Sequence, residues 1–186
     1  MIPLARAEDG LLVSIDAQER LAAAMPEKPR RQMLANSLRL TRAARLLDLP
    51  VLFTPQYPQG LGEIHPDLAA EAEAPVDKTC FSCCGADDFL RQVLDSHRRQ
   101  VVLTGMETHI CVLQTALELQ REGLEVFVVE DAVCARHKRH HKNALHRLRQ
   151  AGIIVSNHES VLFEWLRDAG HEHFRAISAM LKEDRD

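Results

Sequence analysis

The sequence lacks several features that would assign it to a particular class of protein. No apolar run approaches the roughly 20 residues needed to span a bilayer, and charges interrupt the N-terminal stretch MIPLARAEDG before a signal-peptide core could form. The formal net charge of -4 at pH 7 provides no basic stripe, which argues against nucleic acid as the main partner. The sequence also has no internal repeat, low-complexity tract or linker. We therefore expect a single domain over residues 1–186 that binds neither a membrane nor nucleic acid.

A disulfide framework is not expected either. The sequence has five cysteines, an odd number, and together with the missing signal peptide this predicts a reducing, cytoplasmic location. Cys80, Cys83 and Cys84 lie in CFSCC, whose C-x-x-C spacing could suggest zinc, but no second pair follows at zinc-ribbon spacing. We expect no structural metal there. The three thiols either pack beside a pocket or act as redox-sensing groups.

The composition is that of an ordinary globular protein, and the sequence pattern predicts alternating strands and helices. Hydrophobic residues make up 46% and charged residues 27% of the sequence, as in typical globular domains. Longer stretches with apolar residues at helical spacing separate short apolar runs. This alternation predicts a mostly parallel sheet covered by helices on both faces, with ligands bound outside the carboxyl ends of the strands. The predicted strands are residues 11–16, 50–55, 100–105, 124–131 and 152–156.

A cysteine follows one of these predicted strands. In VVLTGMETHICVLQTALELQ, Cys111 comes after the buried strand and before Leu113 and Leu117, which lie at helical spacing. At a strand-to-helix turn, free backbone N–H groups and the positive end of the helix dipole favour a thiolate. Such turns carry nucleophiles in several enzyme classes. The alternative interpretation is a buried, inert cysteine.

Two charged residues could assist a nucleophilic Cys111. Asp16 ends the first predicted strand, and Lys78 follows the proline-rich segment that ends in VDKTCFSCCG. A carboxylate could take the thiol proton and later deliver it to a leaving group, while an ammonium could lower the pKa of the thiol. Taken alone, Asp16 could equally be a turn residue and Lys78 a solvated surface residue. Sequence spacing does not show that the three side chains meet.

The segments around these residues resemble the isochorismatase-like cysteine hydrolase superfamily, and within it the small isochorismatase domain-containing proteins. The resemblance is carried by LLVSIDAQERL, DKTCFSCC, VVLTGMETHICVLQTALELQREGLEVFVVEDAV and RLRQAGIIVSNHESVLFEWL, and it covers about residues 11–182. It implies a three-layer αβα, Rossmann-like fold with a six-stranded, mostly parallel sheet of order 3-2-1-4-5-6. In that order, Asp16 and Cys111 would end neighbouring strands.

The resemblance also implies roles for the candidate residues. Cys111 would be the nucleophile, Asp16 the general acid and base, and Lys78 the third member of a catalytic triad. The family pattern includes a cis peptide between Met106 and Glu107, which would aim the amides of Glu107 and Cys111 at one oxyanion hole.

The sequence departs from the metal-dependent members of this superfamily. Nicotinamidases bind a metal through an Asp-x-His motif after the second strand, but Gln56 and Pro58 occupy those places here and His65 stands alone. We therefore expect no metal and no cofactor. Isochorismatases proper lack the nucleophilic cysteine, so Cys111 argues against cleavage of a vinyl ether.

Four residues near the predicted strand ends are candidates for substrate binding: Gln18, Gln56, Tyr57 and His109. For His109, a role at a subunit interface is equally open. The histidines of RHKRHHKNALHRLRQAG belong to a helix whose apolar stripe is formed by Ala144, Leu145 and Leu148, so we interpret them as a solvated helix surface.

The main functional hypothesis is a cysteine hydrolase that cleaves a small amide, imide or related acyl compound through a thioester. The alternatives are an interaction protein on a hydrolase scaffold, a redox-sensing thiol protein, or an isochorismatase-like protein with another metal-independent reaction. The amphipathic C-terminal helices, with Phe163, Trp165 and Phe174, predict a homo-oligomer.

Overall fold

The computed structural model describes residues 3–182. Within that range a single parallel sheet forms the centre of the molecule, and its strands pair in the order β2-β1-β3-β4-β5. Every residue of the central strands β1 and β3 is buried, because helices cover both faces of the sheet. The strands are β1 (Gly10–Ile15), β2 (Val51–Thr54), β3 (Gln100–Met106), β4 (Glu125–Cys134) and β5 (Ile154–Ser156).

The predicted three-layer, Rossmann-like architecture is confirmed, but the predicted number of six strands is wrong. The described residues form five strands, and the missing one would have followed β2 at the edge of the sheet. Residues 76–78 do hydrogen-bond alongside β2, through Val76 N to Phe53 O at 2.9 Å and Lys78 N to Pro55 O at 3.1 Å. Pairing stops after the isolated bridge between Gln56 and Lys78. Prolines before and after this short pairing cannot donate to a ladder, so the edge does not extend into a strand.

The helices occupy both faces of the sheet. Alternate residues of the strands point to opposite faces, so Leu12 and Val102 contribute to one core while Leu11 and Leu103 contribute to the other. The first core includes side chains of α2, α8 and α9, and the second those of α5, α6 and α7. The helices are α1 (Glu19–Ala23), α2 (Glu27–Leu46), α3 (Pro58–Leu61), α4 (Pro66–Ala69), α5 (Asp87–Asp95), α6 (Leu113–Arg121), α7 (Lys138–Gln150), α8 (His158–Leu166) and α9 (Phe174–Met180).

One tighter and one wider helical turn complete the described structure. Cys83–Gly85 forms a 3-10 turn before α5, and Thr108–Val112 forms a π-helical turn that leads directly into α6. Across residues 3–182, none of these helices is both long and apolar enough to cross a membrane.

Candidate active site

The structure brings Asp16, Lys78 and Cys111 together at the carboxyl ends of β1 and β3. The ammonium nitrogen of Lys78 lies 2.8 Å from Oδ1 of Asp16, and it donates a hydrogen bond to Oδ2 at 3.1 Å. The Cys111 thiol lies beside the same carboxyl group, and each perturbs the pKa of the other. The side chains of Asp16 and Lys78 are fully buried, and Cys111 is 6% exposed. A sulfur, a carboxylate and an ammonium group therefore share one buried site.

A close approach of two strand ends creates this site. Gly105 in β3 pairs with Ile15 in β1, directly before Asp16. A Cβ atom on Gly105 would lie 1.9 Å from the carbonyl oxygen of Ile15, and the backbone of Gly105 has a φ of +106°. Only glycine fits such a position. The backbone of Asp16 also adopts the left-handed conformation, with φ 51°, and its amide donates a hydrogen bond to the carbonyl of Thr54 at 3.0 Å.

The segment 107–112, called the nucleophile turn after the role expected of Cys111, follows immediately after β3. The Met106–Glu107 peptide bond is cis. The π-helical turn then carries Cys111, with Val112 N donating to the carbonyl of Glu107 at 3.4 Å. Single π-helical turns of this kind occur frequently at functional sites.

Lys78 is held by a complete set of acceptors. Besides Asp16, its ammonium group donates to Oε1 of Gln56 at 2.6 Å and to the carbonyl oxygens of Cys80 and Phe81 at 3.2 and 3.3 Å. A buried charge is tolerated when it is paired and hydrogen-bonded in this way. The side chain is therefore fixed in one position against the carboxylate.

Burial and charge pairing set the protonation states of the site. Burial raises the pKa of Asp16 from 3.8 to about 6, against the opposing effects of Lys78 and Cys111. Burial alone would lower the pKa of Lys78, but the charge of Asp16 raises it above its usual value. At pH 7 the site therefore contains a carboxylate beside an ammonium group.

The expected lowering of the Cys111 pKa is wrong. Burial, and then the negative charge of Asp16, raise the pKa of the Cys111 thiol above its usual range, and the smaller effect of Lys78 does not reverse this. The cysteine therefore rests as a thiol beside a carboxylate. A reaction at its sulfur requires transfer of the proton during attack rather than a preformed thiolate.

Gln18 and Gln56 were predicted to bind substrate, and in the structure internal hydrogen bonds occupy their side-chain amide groups. Gln18 donates to the carbonyls of Gln56 and Gly62 at 3.0 and 2.6 Å and accepts from the amide of Gln56 at 2.8 Å. Gln56 donates to the carbonyl of Thr79 at 2.6 Å, which turns its own oxygen toward Lys78. Gln18 thus holds the loop in place, and Gln56 positions the ammonium group.

The other two candidates for substrate binding lie in different surroundings. Tyr57 is 53% exposed, and its amide donates to the carbonyl of Lys78 at 2.7 Å, so its ring lies at the surface close to the site. The ring of His109 packs against His140, with 4.7 Å between centroids, and its Nδ1 has no hydrogen-bond partner within residues 3–182. Burial lowers the pKa of His109. His109 therefore faces helix α7, although it lies two residues from Cys111 in sequence.

Arg136 was not identified from the sequence. Its backbone amide donates to Oε2 of Glu107 at 3.0 Å, and its guanidinium lies 3.1 Å from Oε1. The Glu107 side chain is 4% exposed, so this contact holds the start of the nucleophile turn against the end of β4. The sequence offered no signal for Arg136, because the predicted strand ends at residue 131, whereas β4 continues to Cys134 and so ends two residues before Arg136.

The CFSCC segment packs beside Lys78. The thiol of Cys83 is fully buried, 3.3 Å from the hydroxyl of Thr54, and its amide donates to Thr115 of α6 at 2.9 Å. Burial raises the pKa of Cys83 to about 11. Within the described range, all cysteines are free and no group of three or more His, Cys, Asp or Glu residues is arranged to hold a metal ion.

The fold and site define a class: a three-layer α/β protein with a buried Asp–Lys–Cys cluster at the carboxyl ends of its central strands. Residues 10–160 match the model of the Isochorismatase domain, and the chain belongs to this family. Its relatives include the mouse isochorismatase domain-containing protein 2A, which is 40% identical over 178 residues covering 95% of this chain and 84% of the mouse protein.

Three solved structures are similar to the whole chain. The structure called MAR1 ribonuclease from Caenorhabditis elegans is 34% identical, with a TM-score of 0.87 over 99% of this chain and 95% of that one. YcaC from Pseudomonas aeruginosa, solved with hexane-2,5-diol and covalent acrylamide, is 26% identical, with a TM-score of 0.91 over 98% and 94% of the two chains. YcaC from Escherichia coli, described as an octameric hydrolase of unknown specificity, is 26% identical, with a TM-score of 0.85 over 96% and 87%.

Proposed function

We propose that this protein is a cofactor-independent cysteine hydrolase that cleaves a non-peptide C–N bond in a small amide, imide or related acyl compound. The observation that carries this proposal is the contact of 2.8 Å between Lys78 and Asp16 with the Cys111 thiol beside the same carboxylate. A nucleophile, a base and a cation in hydrogen-bonding reach are the parts that acyl transfer requires.

In the proposed reaction, the sulfur of Cys111 attacks the carbonyl carbon while Asp16 accepts the thiol proton. The amides of Glu107 and Cys111 donate to the oxyanion of the tetrahedral intermediate. The C–N bond then breaks, and Asp16 returns the proton to the departing nitrogen, leaving a thioester on Cys111. A water molecule deprotonated by Asp16 attacks the thioester, and the proton is delivered to the sulfur. The net change is amide plus water to carboxylic acid plus ammonia or amine.

The burial of the site supports a small substrate. Asp16 and Lys78 have fully buried side chains and Cys111 is 6% exposed, so only a compact carbonyl compound can reach the sulfur. The covalent acrylamide in the YcaC structure from Pseudomonas aeruginosa is a molecule of this size with an amide group. Lys78 stabilises the Asp16 carboxylate, which keeps a base available at neutral pH.

Incubation of the purified protein with a panel of small amides and imides tests the proposal through ammonia release. We expect Cys111→Ala to abolish turnover without unfolding the protein, and Cys84→Ala to retain activity as a control at a half-buried cysteine outside the site. Mass spectrometry of the wild type should detect an acyl adduct on the peptide containing Cys111. Ammonia release that persists in Cys111→Ala would refute the cysteine mechanism.

The name of the Caenorhabditis elegans relative suggests a second candidate, cleavage of RNA. The enclosed Asp–Lys–Cys cluster disfavours it, because a polynucleotide cannot enter a site whose side chains are this deeply buried. Incubation of the same samples with single-stranded RNA distinguishes the two. Cleavage of RNA that Cys111→Ala abolishes, without any ammonia release from the panel, would favour the nuclease. Absence of both activities would favour an interaction protein.

We also propose that the protein is a homo-oligomer in a reducing compartment such as the cytoplasm. Phe163 is 40% exposed and its ring contacts Phe174, which leaves apolar surface available to a second copy. The octameric YcaC from Escherichia coli supports this assembly mode. The free thiols support the compartment.

A further inference from the structure

A cavity lies at the end of β4, outside the Asp–Lys–Cys cluster. It has a volume of about 480 Å³ and is bounded by the start of α2, the end of β4 and the start of α7. Asp16, Lys78 and Cys111 are not among its lining residues. We call it the β4 cavity, because Val133, Cys134 and Ala135 at the end of β4 form its floor. Its volume is in the range of pockets that bind small molecules.

The floor and one wall of the β4 cavity are apolar. Val133, Cys134 and Ala135 are all buried, and Pro26 and Pro29 contribute the wall at the start of α2. Burial raises the pKa of the Cys134 thiol to about 12, so the thiol is neutral and behaves as a small apolar group. A ligand seated here would need an apolar body.

Two cations at the rim have no side-chain partner among residues 3–182. Lys28 and Lys138 line the cavity from α2 and α7, and neither forms an ion pair or hydrogen bond with its side chain among the described residues. Both side chains are exposed, so they can move toward a ligand without breaking an existing contact. The positive charge at this rim is therefore available.

The two acidic residues of the lining already have partners within the described residues. Glu130 accepts from Arg149 at 2.7 Å, and Asp131 accepts from the amide and the ring of His158 at 2.8 and 2.6 Å. His141 completes the lining, and its Nδ1 lies 2.9 Å from the hydroxyl of Thr108 in the nucleophile turn. Lys28 and Lys138 are thus the charged side chains of the lining that have no partner among residues 3–182.

We propose that the β4 cavity is a second binding site, separate from the Asp–Lys–Cys cluster, for a small organic anion with an apolar body. The apolar part rests on Val133, Cys134 and Ala135, and the carboxylate or phosphate group lies between Lys28 and Lys138. This site does not depend on the proposed hydrolase activity.

Titration of the full-length protein with benzoate and with phenyl phosphate tests the site, with neutral benzamide as the matched probe. In two-dimensional amide NMR, we expect either anion to shift the signals of residues 133–135 and to bind more tightly than benzamide. The double variant Lys28→Ala/Lys138→Ala should weaken anion binding about tenfold, because two exposed charge contacts are lost. Lys142→Ala, one turn further along α7 and outside the lining, should leave binding unchanged.

Three results would overturn the proposal: no binding of either anion, equal binding of benzamide and benzoate, or unchanged affinity in the double variant. Cys111→Ala supplies the remaining comparison. Retained anion binding in that variant supports a separate site, and lost binding would place the anion at the catalytic cluster instead. If the protein binds the anions but releases no ammonia from amides, the proposed anion site is supported and only the proposed hydrolase function is contradicted.

Discussion

At the scale of single residues, the protonation of Asp16 determines the pH range in which the cluster can work. Its pKa of about 6 results mainly from burial, which the neighbouring ammonium group of Lys78 offsets only in part. A group with this pKa is a carboxylate at pH 7 and can accept the thiol proton. Because its pKa is close to neutrality, it can also return the proton to a leaving group.

We therefore predict that kcat/KM falls as the pH decreases through about 6, because protonation of Asp16 removes the base. Initial rates between about pH 4.5 and 8, with circular dichroism to confirm that the protein stays folded, measure this limb. An acid limb near pH 4, the usual range of an aspartic acid, would contradict the assigned environment.

The hydrogen bond from Lys78 to Gln56 leads to a second prediction. Gln56→Ala removes the acceptor at 2.6 Å and allows the ammonium group to shift away from Asp16. We expect kcat to fall about tenfold with KM nearly unchanged, because a misplaced catalytic group raises the barrier without altering substrate binding. Gln59→Ala, at an exposed position of α3, is the control. A rise in KM at constant kcat would instead restore the substrate-binding role.

At the scale of secondary structure elements, the contact between the ends of β1 and β3 determines whether the site forms at all. The carbonyl of Ile15 occupies the space where any side chain at position 105 would begin. The same contact sets Asp16 beside the turn that carries Cys111. Stability and site geometry therefore depend on one glycine.

We predict that Gly105→Ala lowers the free energy of unfolding by about 2–5 kcal/mol, from the positive φ and the displacement of β1 together. Gly123→Ala is a matched control. Its φ is +85°, but an added Cβ would have no atom within 4 Å, so only the backbone strain of about 1 kcal/mol remains. Urea denaturation of both variants measures the difference, and equal losses would show that the close approach of the strands is unimportant.

These elements also show what the sequence could predict. The apolar runs predicted the five strands of the structure, because strands of a parallel sheet covered on both faces are rich in consecutive hydrophobic residues. The sixth strand came from the family resemblance alone and is wrong, since residues 76–78 pair only briefly with β2. The family pattern gives the number of strands typical of its members, whereas the prolines of this chain limit how far its own edge pairing extends.

Within the site, the sequence predicted where the candidate residues lie better than what their side chains do. Asp16 and Cys111 follow neighbouring parallel strands, and the ends of such strands meet at one edge of the sheet. The role of Gln18 could not be predicted, because it depends on hydrogen bonds to a loop about 40 residues away. The raised pKa of Cys111 depends on the depth of burial, which a helix-dipole argument does not include.

At the scale of the whole molecule, two helical layers enclose a sheet whose carboxyl ends carry the Asp–Lys–Cys cluster and, at the end of β4, the β4 cavity. Thr108 and His141 link them, because their side chains lie 2.9 Å apart across the turn. The cavity and the cluster are therefore distinct in lining but adjacent in the fold.

The order of the strands has a consequence for synthesis on the ribosome. All three reactive side chains have been added once residue 111 is translated, yet β3 pairs on one side with β4, which ends at Cys134. Until that later segment emerges, an unpaired edge of buried hydrophobic residues is exposed beside a nascent thiol. A chain that stalls between these points would carry Asp16, Lys78 and Cys111 and still expose an unpaired apolar edge, the kind of surface that chaperones bind.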